Sequence, residues 1–170
     1  TIVPNNFALV PVATKETWSK SLGGLALSDV KIVVYVDGVR QWFKTGRILF
    51  THFGLSGPTI LNMARGIGDL LPNGEVVLAL ELFPKLDAGA LRRKLQELLV
   101  AESNKKIKNV LSALIPSALV APLLTLAEID GETFCHSVST EARKSLVALL
   151  KHIPLTVERL LGAEKAIVSS

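Results

Sequence analysis

The sequence predicts an α+β fold: a small, mostly antiparallel, barrel-like β unit with a helical bundle inserted between its strands. Three features point there. Apolar and polar residues alternate through much of residues 1–85, the two-residue period of half-buried strands. Between residues 86 and 153 the apolar positions switch to helical spacing. From Pro154 to Ser170 strand character returns over a stretch too short to fold alone, so it must pair with the first sheet.

The strands read in order. Phe7 to Val12 is a short apolar strand closed by prolines. Leu25 to Val36 is longer, with Val30, Ile32, Val34 and Val36 on one face and Asp29, Lys31, Val33 and Tyr35 on the other. Asp37-Gly38 suits a two-residue hairpin turn, whose central positions need positive φ, so Val39 to Phe43 is the returning strand. That hairpin could set Tyr35 beside Trp42; Trp42 and Trp18 read as packing or interface residues. Arg47 to Thr51 is a further short strand, and Glu75 to Phe83 alternates with Val76, Leu78, Leu80 and Leu82 on one side. Between these two, Pro58 opens a helix to about Ile67, because its missing N–H would be unpaired there anyway. Ile60, Ala64 and Ile67 form its inward stripe, and Gly66 and Gly68 end it.

The helical section begins behind Asp87, a suitable N-cap, with Leu91, Leu95, Leu98 and Leu99 on one stripe. Ile107, Val110, Leu111, Leu114 and Ile115 repeat the pattern up to Pro116. Ala118 to Ile129 is an apolar, proline-interrupted piece, and Ala142, Leu146, Leu149, Leu150 and Ile153 make a last stripe begun by Ser139 or Thr140. Leu155, Val157 and then Ala166, Ile167 and Val168 are strand-like. The domains expected are therefore 1–85 with 154–170, a discontinuous β unit, and 86–153, the inserted bundle.

Composition narrows the function. The single cysteine among 170 residues excludes an intrachain disulfide framework and a cysteine-rich zinc site, and three scattered histidines give no metal-ligand cluster. No apolar run is long enough for a membrane helix. The opening TIVPNNFALVPV has neither the basic region nor the cleavage site of a secretory signal, so a cytoplasmic setting is expected. The net charge of +4 is local: residues 85–108 hold seven bases against three acids, and the rest of the chain balances. Such a run is ordinarily a solvated helix face. Cys135 beside His136 invites a thiolate–imidazole reading, but adjacent residues rarely reach that geometry and no third orienting group is indicated.

The stretch 46–61, GRILFTHFGLSGPTIL, carries most of the chemistry. A strand runs into a loop holding Thr51, His52, Gly54, Ser56 and Gly57, and the loop feeds a helix that starts at Pro58. A helix start offers unpaired N–H groups and partial positive charge, and glycines let another molecule approach. The same residues can also be a turn that needs glycine's positive φ. The stretch is not a nucleophile elbow, which needs Gly-x-Ser-x-Gly, nor a phosphate loop, which needs Gly-Lys-Ser/Thr.

In Gly46, Ile48 to His52, Gly54 to Pro58, Ile60 and Leu61, the stretch resembles a segment of the YhiN/BaiN-type flavoproteins, bacterial NAD(P)/FAD-dependent oxidoreductases also described as NAD(FAD)-utilising dehydrogenases. Thr1 to Pro4 with Ala8 to Pro11, and Ala163 to Ser170, resemble the two ends of that family's insert domain. The resemblance implies the substrate-side or cap domain of an FAD-dependent enzyme, with FAD in the full-length protein and NAD(P)H as a candidate electron donor. No Gly-x-Gly-x-x-Gly occurs in this sequence, so the isolated chain is expected to hold no cofactor and to have no activity. Thr51, His52, Gly54, Ser56, Gly57 and Pro58 are the residues expected to face cofactor or substrate; no catalytic residue and no metal ligand is assigned. The implied partners are the flavin-binding domain of the same polypeptide and an undefined small molecule, without membrane or nucleic acid. Two other classes compete: a stand-alone binding module using the basic residues 92–108, and an oligomerisation domain using the apolar residues 114–129.

Overall fold

The computed structural model describes residues 9–162, which fall into two compact units, residues 9–82 with 153–162, and Phe83–His152. In the first, β1 (Val12–Thr14), β2 (Ala26–Val36), β3 (Val39–Phe50), β4 (Gly54–Ser56), β5 (Val76–Glu81) and β6 (Ile153–Leu160) close into a barrel in the order β1-β4-β3-β2-β5-β6. Every neighbouring pair is antiparallel. The ring closes through the short β4, which meets β3 only at Leu49 and Phe50. Alternation decides the interior: Ile32, Val34, Ile48, Phe50, Leu55 and Leu78 are almost wholly buried. Each such side chain stabilises the fold by about 1.5–3 kcal/mol through burial. The helical unit leaves the barrel after β5 and the chain rejoins it at β6, where Leu80 pairs with Ile153.

Asp37 and Gly38 take φ of 48° and 82°, so Val36 faces Val39 across the two-residue turn. The Asp37 carboxylate accepts the Glu75 N–H at 2.9 Å, which ties the hairpin tip to the start of β5. Elsewhere the strands differ from expectation. The first is Val12–Thr14, later than the segment ending at Val12; Phe7 and Ala8, like the strand expected at Ala166–Val168, lie outside the described residues. Val39–Phe43 and Arg47–Thr51 are not two strands but the continuous β3. Gly46 does not interrupt it; it pairs with Val30 and leaves room for Thr59, whose hydroxyl a Cβ would strike.

The β2–β3 register slips twice, between Leu27 and Val30 and between Val34 and Tyr35. An extra residue in one strand turns the following side chains to the other face. Tyr35 therefore faces Arg40, and Trp42 faces Val34; the Tyr35–Trp42 pair does not form. Trp42 lies instead against α1 (Pro58–Leu70), where a Cβ on Gly66 would sit 2.6 Å from its ring. Gly66 and Gly68 are thus inside the helix rather than its end, and α1 runs on into a 3-10 turn at Leu71–Asn73. It buries Ile60, Met63, Ala64 and Ile67.

The second unit holds α2 (Ala88–Ala101), α3 (Ser117–Leu126) and α4 (Thr140–Leu150). Asp87 caps α2 by accepting the Ala90 N–H at 2.7 Å, and Ser139 caps α4 by accepting that of Ala142 at 3.0 Å. Pro116 is the N-cap of α3, and Pro122 lies inside it. The helix expected at Ile107–Ile115 is instead two 3-10 turns, Ile107–Asn109 and Leu111–Ala113. The start of this segment is pinned to the loop 131–134: the Ile107 and Lys108 N–H groups donate to the Thr133 and Gly131 carbonyls, and Lys106 bridges Phe134. Ile107, Val110, Leu111 and Ile115 are still buried. Over nine residues, spacing alone does not distinguish α from 3-10 turns. Ile153, read into the last helical stripe, opens β6 instead. No helix among the described residues is long and apolar enough to cross a membrane.

Candidate functional site

The segment Thr51–Pro58 is only partly a loop. A bend at residues 51–53 leads into β4, which pairs with both β1 and β3. Thr51 closes the bend: its N–H donates to the Gly54 carbonyl at 2.9 Å, and its hydroxyl accepts the Gly54 N–H at 3.1 Å. The Phe53 carbonyl accepts the Thr14 N–H at 3.0 Å. A Cβ on Gly54 would strike the Val12 carbonyl and lie 2.8 Å from the Thr14 nitrogen. Gly57 has φ of 95° and its missing Cβ faces the Leu49 nitrogen at 3.0 Å. The room left by both glycines is therefore filled by the barrel's own backbone.

What remains for another molecule is narrower. His52 and Pro58 are exposed, while Ser56 is half-buried and points away from the inward Leu55. The His52 ring meets Phe53 edge-on, with centroids 5.1 Å apart. Gly57 caps α1 without a side-chain hydrogen bond, Pro58 is its first residue, and the first turn holds no acid. Imidazole, hydroxyl and a helix start with partial positive charge thus lie close together along the chain, a set that can hydrogen-bond an oxygen-rich group.

The helical unit holds the other residues singled out from sequence. Cys135 is buried, and burial first, then Glu102, pushes its thiol up, away from the reactive thiolate. His136 stacks on the half-exposed Phe134, with centroids 5.7 Å apart. Within the basic run, Lys105 pairs with Glu102 at 2.8 Å, and Lys106 and Lys108 share Glu132. Those two ammonium groups hold the Glu132 carboxyl at about 2. Arg92, Arg93 and Lys94 are exposed on α2, and among the described residues no carboxylate lies within ion-pair distance of them.

Sequence reasoning missed a surface on the β2–β3 hairpin. Phe43 is 49% exposed on the outer side of β3. Lys31 Nζ lies 4.5 Å from its ring centroid and Arg40 Cζ 5.5 Å. Thr45 pairs with Lys31 on the same face, two residues before the exposed Arg47. The signal was legible only with the register in hand, since the bulge brings Arg40 to the Phe43 side.

Comparison with known proteins agrees with this architecture. The family described as HI0933-like protein barrel and H2TH domain matches residues 6–168. Over 128 residues the chain is 31% identical to the ribosomal RNA dihydrouridine synthase of Escherichia coli (strain K12). That alignment covers 75% of this chain but 30% of the relative, so the chain spans less than a third of the relative's length. A six-stranded barrel interrupted by a helical unit, matched over nearly its whole length, places the chain in the HI0933-like barrel and H2TH domain family.

Proposed function

We propose that this chain is the substrate-side insert of a flavin-dependent reductase acting on uridine in ribosomal RNA. The observation that carries the reading is the 31% identity to a ribosomal RNA dihydrouridine synthase. Nucleic acid, not expected from the sequence alone, becomes the substrate, and a cytoplasmic setting goes with it. Reducing uridine to dihydrouridine adds a hydride and a proton across a carbon–carbon double bond, chemistry that a flavin held elsewhere in the polypeptide would supply. The residues of this chain do not fit the flavin itself: the sequence has no Gly-x-Gly-x-x-Gly, the sheet is a filled antiparallel barrel, and Gly54 and Gly57 face their own backbone. The flavin belongs to the rest of the polypeptide.

Within this reading the segment 51–58 has two roles. Thr51, Gly54 and Gly57 fix its path, while His52, Ser56 and Pro58 form the face offered to substrate or cofactor. The test is the dihydrouridine content of ribosomal RNA, by nucleoside mass spectrometry, after incubation with the full polypeptide, FAD and NAD(P)H. Dihydrouridine accumulates if the reading is right. Unmodified RNA beside rapid flavin turnover on a small molecule would overturn the RNA substrate and leave the flavoprotein assignment standing.

A further inference from the structure

The outer face of the β2–β3 hairpin combines an exposed aromatic ring with cations. From Val39 to Phe50, β3 carries Arg40, Lys44 and Arg47 and no carboxylate. On the outward side the ladder sets Phe43 opposite Val33, with Lys31 and Thr45 as the next pair. Across β2, Lys31 is also paired with Glu81, and Asp29 lies in the bulge opposite Arg47. Two positive groups lie over the ring itself, the ammonium of Lys31 and the guanidinium of Arg40.

Lysine, one of the two cations over this ring, is depleted from protein–protein interfaces. A ring flanked by cations suits a ligand with a flat π face joined to an anion. A nucleotide has both. Stacking is tolerant of base identity, and flanking Lys and Arg follow the phosphates.

Resting on the RNA-directed reading above, we infer that Phe43 with Lys31, Arg40 and Arg47 is a docking platform for single-stranded RNA. A base stacks on the Phe43 ring, and the Lys31 ammonium moves from the ring to the adjoining phosphate. Arg40 and Arg47, to either side of Phe43 along β3, engage the backbone before and after that nucleotide. Thr45 supplies a hydroxyl donor on the same face. The platform positions RNA and takes no part in the reduction.

The test is fluorescence anisotropy of a labelled single-stranded RNA of about 20 nucleotides, titrated with the 170-residue chain at several salt concentrations. The wild type binds with an affinity that falls as salt rises. Phe43→Ala weakens binding about tenfold with the salt slope kept, and Phe43→Trp restores it. Lys31→Ala and Arg40→Ala each flatten the slope by about 0.7, the loss of one phosphate contact on a single strand. All four variants melt with the wild type. If RNA binds and these substitutions change nothing, while Arg92→Ala, Arg93→Ala and Lys94→Ala together abolish binding, the platform is overturned and the RNA-directed reading stands. A wild-type chain that binds no RNA also overturns the platform; the dihydrouridine measurement then decides the broader reading separately. Self-association in sedimentation that Phe43→Ala abolishes would assign the patch to a second copy of the chain.

Discussion

The barrel and the helical unit turn their sequences into structure in different ways. In the barrel the strands hydrogen-bond to one another all the way round, so a short glycine-bearing stretch such as Gly54–Gly57 is dictated by the strands beside it, Gly54 by β1, far away in sequence, and Gly57 by β3. In the helical unit the joints between helices combine the local Asp87 and Ser139 caps with exposed Lys106–Glu132–Lys108 ion pairs and with a few backbone bonds from Ile107 and Lys108 to residues 133 and 131. A residue that looks like a ligand loop can therefore be a wall of the barrel. A residue in a charged run can be a joint that costs little to lose.

That contrast can be broken in four places, in descending order of effect. Gly54→Val should cost about 4 kcal/mol, because the backbone of β1 blocks the new side chain and cannot retreat without opening the barrel. A urea midpoint close to wild type would show that β4 is free to move. Leu95→Ala, at a fully buried position of α2, should cost about 3 kcal/mol from lost burial and the cavity left behind. Asp87→Ala and Ser139→Ala each remove one cap and should cost about 1 kcal/mol; additive losses on combining them would fit independent joints. The smallest effect is electrostatic. Glu132 is held at about 2, against an ordinary 4.5, so its contribution is complete above 4.5 and fades as pH falls towards 2. Its groups are exposed and screened by salt. Thermal melting of the wild type should therefore fall slightly faster with acid than that of Glu132→Gln, and the difference should close at about 1 M salt. No difference at low salt would make the pair incidental.

Much of this architecture was legible in the residues. Alternation from Val30 to Val36, Asp37-Gly38, Asp87 and Ser139 all act locally, and local patterns are what a sequence displays. What it hid was decided at a distance. The bulge that parts Tyr35 from Trp42 depends on pairing across two strands, and β4 exists only because β1 and β3 flank it. The 3-10 turns at 107–113 follow from bonds to residues 131 and 133. Of the candidate site, the segment 51–58 was identifiable from its motif; its division into Thr51, Gly54 and Gly57 as scaffold, with His52, Ser56 and Pro58 outward, needed the barrel.

That division is tested most directly in the full polypeptide, by measuring dihydrouridine formation in ribosomal RNA beside thermal melting for His52→Ala and Ser56→Ala. Surface changes of this kind shift stability by about 0.5 kcal/mol or less, whereas losing a contact at the reacting group can slow the reaction about tenfold for each ~1.4 kcal/mol of barrier. Melting should stay close to wild type while the rate falls at least about tenfold in one or both variants. Unchanged rates with a lowered melting temperature would contradict that division and make the whole segment part of the barrel wall.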